Sequence, residues 1–309
     1  MKKRILLVAD EKGWIFDRHV NEIKSRLAEQ FDFGIAYRKN DIRTMSNDYD
    51  LVYILDPMAM RSWSSPKKTV MGLRNEFMYR SHPEGAKGLY EKGLHGWGSS
   101  IKDKCCMLHV VNKHLLSVFS KVVTDKPLLL ARHGINEIIF DRNKYDKKNN
   151  DGMVIGTSGR SSNNKGFALV KRSCEKLGLS FVTAEFGRRQ KTLGQMPLFY
   201  TGIDVYVCMS KTEGLNNGTM EAGAMGVPVI SSRCGAASEM IKDGESGFLI
   251  DRTEMALKDA LKKIQDSDLR NRMGNNFHSE IMSNWTWAAR IKDFSDMFSL
   301  YFRKNNNCD

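Results

Sequence analysis

Short apolar runs alternate with amphipathic segments through the first half of the chain. Residues 5–9 are all apolar and are followed by Asp10, a pattern typical of a buried parallel strand that ends in a loop. Residues 19–29 instead have apolar side chains at helical spacing. Further runs predict strands at 33–37, 51–55, 69–73, 107–111 and 128–131, and a second helix at 113–120. This alternation predicts a doubly wound α/β domain.

A second series of the same kind follows a polar linker at residues 141–152. Its strands are predicted at 153–157, 180–184, 205–209, 229–231 and 248–250, and its helices at 166–177, 196–201, 218–225, 238–242, 253–264, 268–280 and 287–302. Two Rossmann-like domains are therefore predicted, residues 1–146 and 147–286, which face each other across a cleft. The last helix, within 287–309, is expected to pack back toward the first domain. Ligands of open α/β sheets bind at the carboxyl ends of the strands, so we place the site in that cleft.

Residues 78–104 interrupt the alternation, because they contain five glycines and several aromatic residues. A long glycine-rich loop within a compact domain usually has a function or is mobile. Two interpretations stay open here: a loop that gates the substrate, or an irregular connection.

The composition is that of an ordinary globular protein. The 309 residues are 41% hydrophobic and 27% charged, which excludes a disordered or collagen-like chain and favours about two domains. None of the six cysteines has C-x-x-C spacing, so neither a zinc ribbon nor a thioredoxin-like motif is supported, and we expect cysteines that pack in a reducing cytosol. The first apolar run is too short for a signal peptide, and no run approaches 18 apolar residues. We therefore expect a cytoplasmic protein, with peripheral binding to a membrane as a further option.

The net charge of +12 narrows the class of partner. Residues 1–150 carry 27 basic and 18 acidic side chains, a net +9, whereas residues 151–309 carry 21 and 18, a net +3. Such an excess favours nucleic acid, anionic lipid or phosphorylated small molecules as partners, and it does not choose among them. Four lysines near the end of the first domain form either a phosphate- or membrane-binding face or a plain solvated surface: Lys102, Lys104, Lys113 and Lys121.

Two segments of the second domain carry candidate chemistry. Residues 213–221, EGLNNGTME, form a small-residue loop that leads into a helix, where free backbone N–H groups and the helix dipole favour an anion. Glu213 lies ahead of this helix and Glu221 about one turn inside it, so both carboxylates can accept hydrogen bonds from sugar hydroxyls. Residues 156–160, GTSGR, again follow a strand, and Arg160 and Lys165 are placed to converge on phosphate oxygens.

These residues resemble the family 4 glycosyltransferases of the GT-B fold, also described as group 1 glycosyl transferases. Glu213 and Glu221 match the E-x7-E motif of that family, and residues 221–230, EAGAMGVPVI, match its EA-x-A-x-G-x-PVI run. Residues 239–249, EMIKDGESGFL, match a later E-x-I-x-DG-x-x-G-x-L run. The resemblance covers residues 128–302 well and residues 1–127 loosely.

The resemblance implies a retaining glycosyltransferase that uses a nucleotide-diphosphate sugar, UDP- or GDP-linked, as its substrate. No metal or other cofactor is implied. The mechanism proposed for such enzymes is departure of the nucleotide and attack of the acceptor on the same face, without a protein nucleophile. Arg160 and Lys165 are then assigned to the leaving diphosphate and Glu213 to the donor sugar, as catalytic residues. The implied donor contacts are Gly13, Gly159, Asn216, Asn217, Gly218, Thr219 and, at the ribose, Glu221.

The acceptor is expected to enter from the first domain. Its predicted contacts are Trp14, Arg74, Asn75 and Glu76. Two positions depart from the family pattern: the first loop has Gly13 alone where a glycine pair is usual, and Arg74 stands where many members have a histidine that touches the donor sugar. For Gly13, a phosphate contact and a simple turn stay open.

Three classes of function compete. The first is transfer to a cell-envelope glycan or lipid-linked acceptor at a membrane surface, which the basic first domain fits. The second is a viral-type enzyme that modifies hydroxymethylated bases of DNA, which the same charge fits equally. The third is a non-catalytic module that binds a nucleotide-sugar or nucleic acid, and the intact set of Glu213, Arg160 and Lys165 argues against it.

Overall fold

Two parallel β-sheets organise the chain, and each belongs to a separate compact unit. The computed structural model describes residues 1–55, 65–93, 100–160, 162–185 and 192–305. The N-terminal unit consists of residues 1–133 together with the residues from Arg290 on, and the C-terminal unit is Gly134–Ala289. The predicted fold class, two doubly wound α/β units, is confirmed.

The sheet of the N-terminal unit has six parallel strands among the described residues, in the order β2-β1-β3-β4-β5-β6. They are β1 Arg4–Ala9, β2 Asp32–Tyr37, β3 Leu51–Ile54, β4 Thr69–Leu73, β5 Met107–Val110 and β6 Leu128–Leu130. The helices that precede or connect them are α1 Ile15–Leu27, α2 Ile42–Met45, α3 Phe77–Arg80, α4 Gly85–Lys92 and α5 Lys113–Phe119. In β1, Ile5 pairs with Phe33 on one side and with Leu51 on the other, so the strand lies inside the sheet, as its apolar residues 5–9 predict.

The sheet of the C-terminal unit has five parallel strands within the described ranges, in the order β11-β10-β9-β7-β8. They are β7 Val154–Gly159, β8 Ser180–Glu185, β9 Val205–Cys208, β10 Val229–Ser232 and β11 Gly247–Ile250. The helices are α6 Phe167–Leu177, α7 Met196–Thr201, α8 Asn217–Ala224, α9 Ala237–Met240, α10 Glu254–Lys263, α11 Ser267–Asn284 and α12 Trp287–Asn305. The strand order reverses between β7 and β9, so the loops that follow these two strands flank the switch point at which ligands of such sheets bind.

The N-terminal and C-terminal units divide earlier in the chain than the polar linker at 141–152 predicted. The division lies after His133 because the next residues are tied to the end of the C-terminal unit. The Ile135 N–H donates to the carbonyl of Trp285 at 2.8 Å, and the Ile135 carbonyl accepts from the N–H of Trp287 at 3.0 Å. Helix α12 starts beside this contact, and its residues from Arg290 on pack in the N-terminal unit.

The glycine-rich segment at 78–104 is more regular than predicted. Most of its described part is helical, in α3 and α4, and residues 94–99 lie outside the described residues. Helix α4 buries Leu89 and Tyr90, and the Tyr90 hydroxyl donates to the Asp125 carboxylate. Two buried large side chains and this bond stabilise a helix that the glycine content alone disfavours.

No described helix combines the length and the apolar character that crossing a membrane requires.

Candidate active site

Lys165 and Glu213 form an ion pair at the switch point of the C-terminal sheet. The Lys165 ammonium donates to Oε1 of Glu213 at 2.5 Å, and both side chains are largely buried. Burial alone would lower the pKa of Lys165, but the Glu213 carboxylate and the nearby Cys208 more than offset it, so the pKa is raised. Lys165 is therefore cationic at neutral pH, as a residue that binds phosphate must be.

Asn164 holds together the two loops that carry this pair. Its side-chain amide donates to the Thr212 carbonyl at 3.1 Å, and its Oδ1 accepts from the Thr212 N–H at 3.2 Å. Arg252 makes a similar connection, since its Nε donates to the Met209 carbonyl at 2.7 Å and its Nη2 to the Asn163 carbonyl at 2.8 Å. Neither residue was predicted from the sequence, because their partners are distant along the chain. The Lys165–Glu213 geometry rests on both.

Gly166 follows Lys165 and is the N-cap residue of helix α6, with a positive φ of 74°. A Cβ at this position would lie 2.4 Å from the Met209 carbonyl oxygen. Glycine is therefore required both by the backbone conformation and by the close approach of the loop after β9.

Helix α8 begins directly beside the pair. Asn216 caps it, since its Oδ1 accepts from the Thr219 N–H at 3.2 Å. Gly218 allows the helix start to lie against the sheet: a Cβ there would come within 2.1 Å of the Tyr206 hydroxyl and 2.6 Å of Ser158 Oγ. The Thr219 hydroxyl is buried and has no hydrogen-bond partner within the described part of the chain. This helix start therefore offers backbone N–H groups and one unused hydroxyl to an anion.

Glu221 lies within α8 and is buried, with 6% of its surface exposed. Its Oε2 accepts from the Tyr200 hydroxyl at 2.8 Å, and Tyr200 also donates to the Gly218 carbonyl at 3.3 Å. Burial, followed by the charge of Glu221, raises the pKa of Tyr200 well above its ordinary value, so the phenol stays a donor. Tyr200 was not predicted as a site residue, because its side chain reaches Glu221 only through the packing of α7 on α8.

The remaining predicted donor residues of this unit lie around the same loops. Arg160 follows β7 with an exposed side chain, and Gly159 has a φ of 117°. Asn217 is the first residue of α8 and is half-buried. The structure thus places Gly159, Arg160, Lys165, Glu213 and the start of α8 around one edge of one sheet.

Two buried thiols lie beneath the loop after β9. The Asn216 side-chain amide donates to Cys208 Sγ at 2.6 Å, and Ser232 Oγ donates to Cys234 Sγ at 3.5 Å. A hydrogen bond from Cys234 lowers the pKa of the Cys208 thiol. The predicted role of these cysteines as packing residues agrees with their burial, and Cys208 in addition orients the capping amide of Asn216.

The predicted acceptor-side residues belong to the N-terminal unit. Gly13 has a φ of 83°, and its N–H donates to the Asp17 carboxylate at 2.8 Å. Trp14 precedes α1 and is 46% exposed. Arg74 is almost fully buried, as is Glu76, and Asn75 is half-buried. Of the four predicted acceptor contacts, only Trp14 therefore presents a large exposed surface.

Comparison with known proteins finds a family model and relatives that match part of the chain. Residues 140–279 match the family model described as glycosyl transferases group 1. The chain is 24% identical over 229 residues to the capsular polysaccharide biosynthesis glycosyltransferase CapM of Staphylococcus aureus, an alignment that covers 62% of this chain and 60% of CapM. The aligned part therefore spans less than two thirds of that relative.

Solved structures extend the likeness to the whole chain at the level of the fold. Sucrose-phosphate synthase from Thermosynechococcus elongatus superposes with a TM-score of 0.75 at 12% identity, covering 98% of this chain and all of that one. HepE of Anabaena, solved in complex with UDP and glucose, superposes with a TM-score of 0.73 at 12% identity, covering 97% of this chain and all of that one. At such identities the likeness concerns the fold alone.

The family match covers the Lys165–Glu213 pair and helix α8, and the structural match covers both sheets. The chain therefore has the GT-B fold, and its residues 140–279 are similar to the glycosyl transferases group 1.

Proposed function

We propose that the protein is a retaining glycosyltransferase that moves a sugar from a nucleotide-diphosphate donor to a cell-envelope glycan or lipid-linked acceptor. The observation that carries the proposal is the largely buried Lys165–Glu213 pair beside the start of α8, because this arrangement joins a cation, a carboxylate and the N-terminus of a helix at a sheet switch point. The capsular polysaccharide role in the name of CapM favours an envelope acceptor over DNA.

In this proposal the diphosphate binds at the start of α8. Lys165 is held as a cation by Glu213, and Arg160 adds a second cation, an exposed guanidinium that directly follows β7. Negative charge develops on the diphosphate as the sugar bond breaks, so cations and N–H groups fixed in advance stabilise the transition state. The buried Thr219 hydroxyl supplies a further hydrogen bond to a phosphate oxygen.

The two glutamates have different roles in this proposal. Glu213, ahead of the helix, holds hydroxyl groups of the transferring sugar, and its charge favours the developing positive centre. Glu221, a turn deeper and oriented by Tyr200, holds the ribose. No protein nucleophile is needed if the acceptor attacks on the face from which the nucleotide leaves, and no cofactor beyond the donor is part of the proposal.

Binding of UDP and GDP tests the diphosphate site. We expect one of these nucleotides to bind wild type, and the double variant Arg160→Ala with Lys165→Ala to bind it more weakly by about 1.5–3 kcal/mol for each lost charged contact. Isothermal titration calorimetry measures this. The matched control is Arg172→Ala with Lys171→Ala on the exposed face of α6, which removes the same charges and should bind as wild type does. Equal affinity in wild type and the site variant would remove the assignment of Arg160 and Lys165.

A further inference from the structure

A buried polar cluster lies at the carboxyl edge of the N-terminal sheet, with Arg74 at its centre. The Arg74 Nε donates to the Leu55 carbonyl at 2.7 Å, and Nη2 donates to the Tyr53 hydroxyl at 3.0 Å. Nη1 lies 3.2 Å from Nδ1 of His19 and 3.4 Å from Nδ1 of His133. Arg74 is 6% exposed, so these groups have replaced water around its guanidinium.

All of these partners are neutral. A histidine nitrogen that accepts from a guanidinium cannot itself carry a proton, so His19 and His133 accept as neutral imidazoles. Burial, together with the charge of Arg74, lowers the pKa of His19 well below its ordinary value. Burial raises the pKa of the Tyr53 phenol, which also stays neutral. The face of Phe16, 5.2 Å from the guanidinium, adds attraction without a counter-charge.

The charge of Arg74 is therefore not compensated by a carboxylate of the described residues. The nearest acidic residue along the chain, Glu76, is engaged elsewhere: its carboxylate pairs with Arg80 at 2.7 Å and lies 3.6 Å from His114. A buried charge without a counter-ion is costly, and bound substrate is one way in which a protein supplies that counter-ion.

The cluster also has donors to spare. The contacts above use four of the five guanidinium N–H groups and leave one at Nη2. Tyr53 accepts from Arg74 and so donates its own hydrogen to Nε2 of His109, 2.8 Å away, which puts the proton of that neutral imidazole on Nδ1. This Nδ1 is buried and has no partner within the described part of the chain. A buried cation with one unused N–H group is suited to an anion.

The cluster lies where open α/β sheets bind ligands. Leu55 follows β3, Arg74 follows β4 and His133 follows the short strand β6, so all three are at the carboxyl ends of their strands. We propose that Arg74 is the anion-binding residue of the acceptor site in the N-terminal unit, and that the acceptor carries a phosphate or carboxylate group. The assignment of this anion to the acceptor rests on the proposed function. The anion site itself is argued only from residues of the N-terminal unit.

Inorganic phosphate is the probe for the first experiment. The full chain is saturated with UDP, which fills the diphosphate site of the C-terminal unit, and thermal unfolding is followed as phosphate is added at constant ionic strength. We expect phosphate to raise the unfolding temperature of wild type and of Arg43→Met, the matched control at an exposed arginine of the same unit. In Arg74→Met, phosphate affinity should fall about 10- to 100-fold, as for one lost charge-assisted contact. An equal response in Arg74→Met, or no response in wild type, would overturn the proposal.

A second measurement covers the case in which Arg74→Met does not fold. In wild type labelled with ¹⁵N-arginine, phosphate should shift the Nε resonance of Arg74, which is identified by its absence from Arg74→Lys. A shift confined to other arginines contradicts the proposal. Glycerol 3-phosphate and glucuronate, added in the same way, report whether a phosphate ester or a carboxylate binds more tightly.

Flotation with phosphatidylcholine vesicles, with and without phosphatidic acid, separates a lipid headgroup from a free phosphate. Flotation that requires both phosphatidic acid and Arg74 supports a lipid source, whereas a response to glycerol 3-phosphate without such flotation supports a free one. UDP binding is measured separately on the same samples. UDP binding without a phosphate response removes this inference alone, and an Arg74-dependent phosphate response without UDP binding removes the proposed donor site alone.

Discussion

The Glu213 carboxylate contacts Lys165 and raises the pKa of that lysine. Glu221 differs, since its carboxylate accepts a hydrogen bond from the neutral phenol of Tyr200. The two carboxylates of the same sequence motif thus lie in different electrostatic surroundings. Their losses should have different consequences.

We expect Glu213→Gln to lower turnover by about 10²–10³, the scale of one lost electrostatic contact in the transition state, while nucleotide affinity stays near that of wild type. Glu175→Gln, at an exposed carboxylate that also pairs with a lysine, is the matched control and should keep full activity.

Glu221→Gln should instead weaken nucleotide binding by about 1.5–3 kcal/mol. Tyr200→Phe removes the hydroxyl that orients Glu221 and keeps the Glu221 carboxylate. This variant therefore separates a direct contact of Glu221 with the nucleotide from the support that Tyr200 gives to Glu221. Calorimetry and turnover are measured on all four variants, and product NMR reports the anomeric configuration; full activity of Glu213→Gln, or inversion of that configuration, would contradict the proposed chemistry.

Single residues also show where prediction from the sequence ends. Lys165 and Glu213 were predicted because a local motif contains them. Asn164 and Arg252 were missed, since an asparagine or arginine in a polar loop has the same local pattern whether it is solvated or connects two loops. Arg74 was predicted as an acceptor contact, and nothing in its neighbourhood along the chain indicates that it would be buried among Tyr53, His19 and His133.

At the scale of elements, the strands and helices were predicted to within a few residues at most positions. The reason is that both sheets are parallel and their central strands are buried, which makes strands such as β1, β3 and β9 largely apolar runs. The short helices α2, α3 and α4 were exceptions. Helix α4 is stabilised by the burial of Leu89 and Tyr90 and by the Tyr90–Asp125 bond rather than by its own propensity.

The position of helix α8 should be sensitive to a single added methyl group at Gly218. Gly218→Ala would force a Cβ against the Tyr206 hydroxyl and Ser158, which hydrogen-bond to each other at 3.0 Å, so the helix start must shift. We expect a loss of about 1–3 kcal/mol in the free energy of unfolding, typical of overpacking, together with weaker nucleotide binding. Urea denaturation and calorimetry measure the two effects.

Gly194→Ala is the control for this experiment, since a Cβ at position 194 would meet no atom within 4 Å and the φ of Gly194 is not in the left-handed region. Combining Gly218→Ala with Tyr206→Phe removes the closest clash and should restore part of the lost stability. If Gly218→Ala is as stable as Gly194→Ala and binds nucleotide normally, the close packing of α8 on the sheet does not determine the site.

At the scale of the whole molecule, the positive charge is concentrated in the N-terminal half. The predicted lysine face needs one correction: Lys104 is 3% exposed, and burial lowers its pKa, so it cannot contact a surface. Lys102, Lys113 and Lys121 are exposed. Whether these three bind an anionic surface stays a prediction.

Changing Lys102, Lys113 and Lys121 together to glutamine should weaken retention on anionic vesicles or on duplex DNA, and added salt should have the same effect on wild type. The control changes three exposed lysines of the C-terminal unit, Lys242, Lys262 and Lys263, which alters the net charge equally. Vesicle flotation and DNA retention at moderate salt are compared for the two variants. An equal loss in both would mean that net charge alone matters, and no loss in either would assign the charge to solubility.

The position of helix α12 at the end of the chain affects the order in which the two units fold during synthesis. Phe298 lies 5.8 Å from Phe31 and 5.5 Å from Tyr53 between ring centroids, and the Tyr301 hydroxyl donates to the Asp50 carbonyl at 3.0 Å. These aromatic groups complete a sheet whose strands leave the ribosome long before them. The C-terminal unit, continuous from Gly134 to Ala289, can close while synthesis is still under way. The half of the chain that is translated first is therefore the last to finish folding, and until α12 emerges its apolar sheet is the surface that a chaperone would cover.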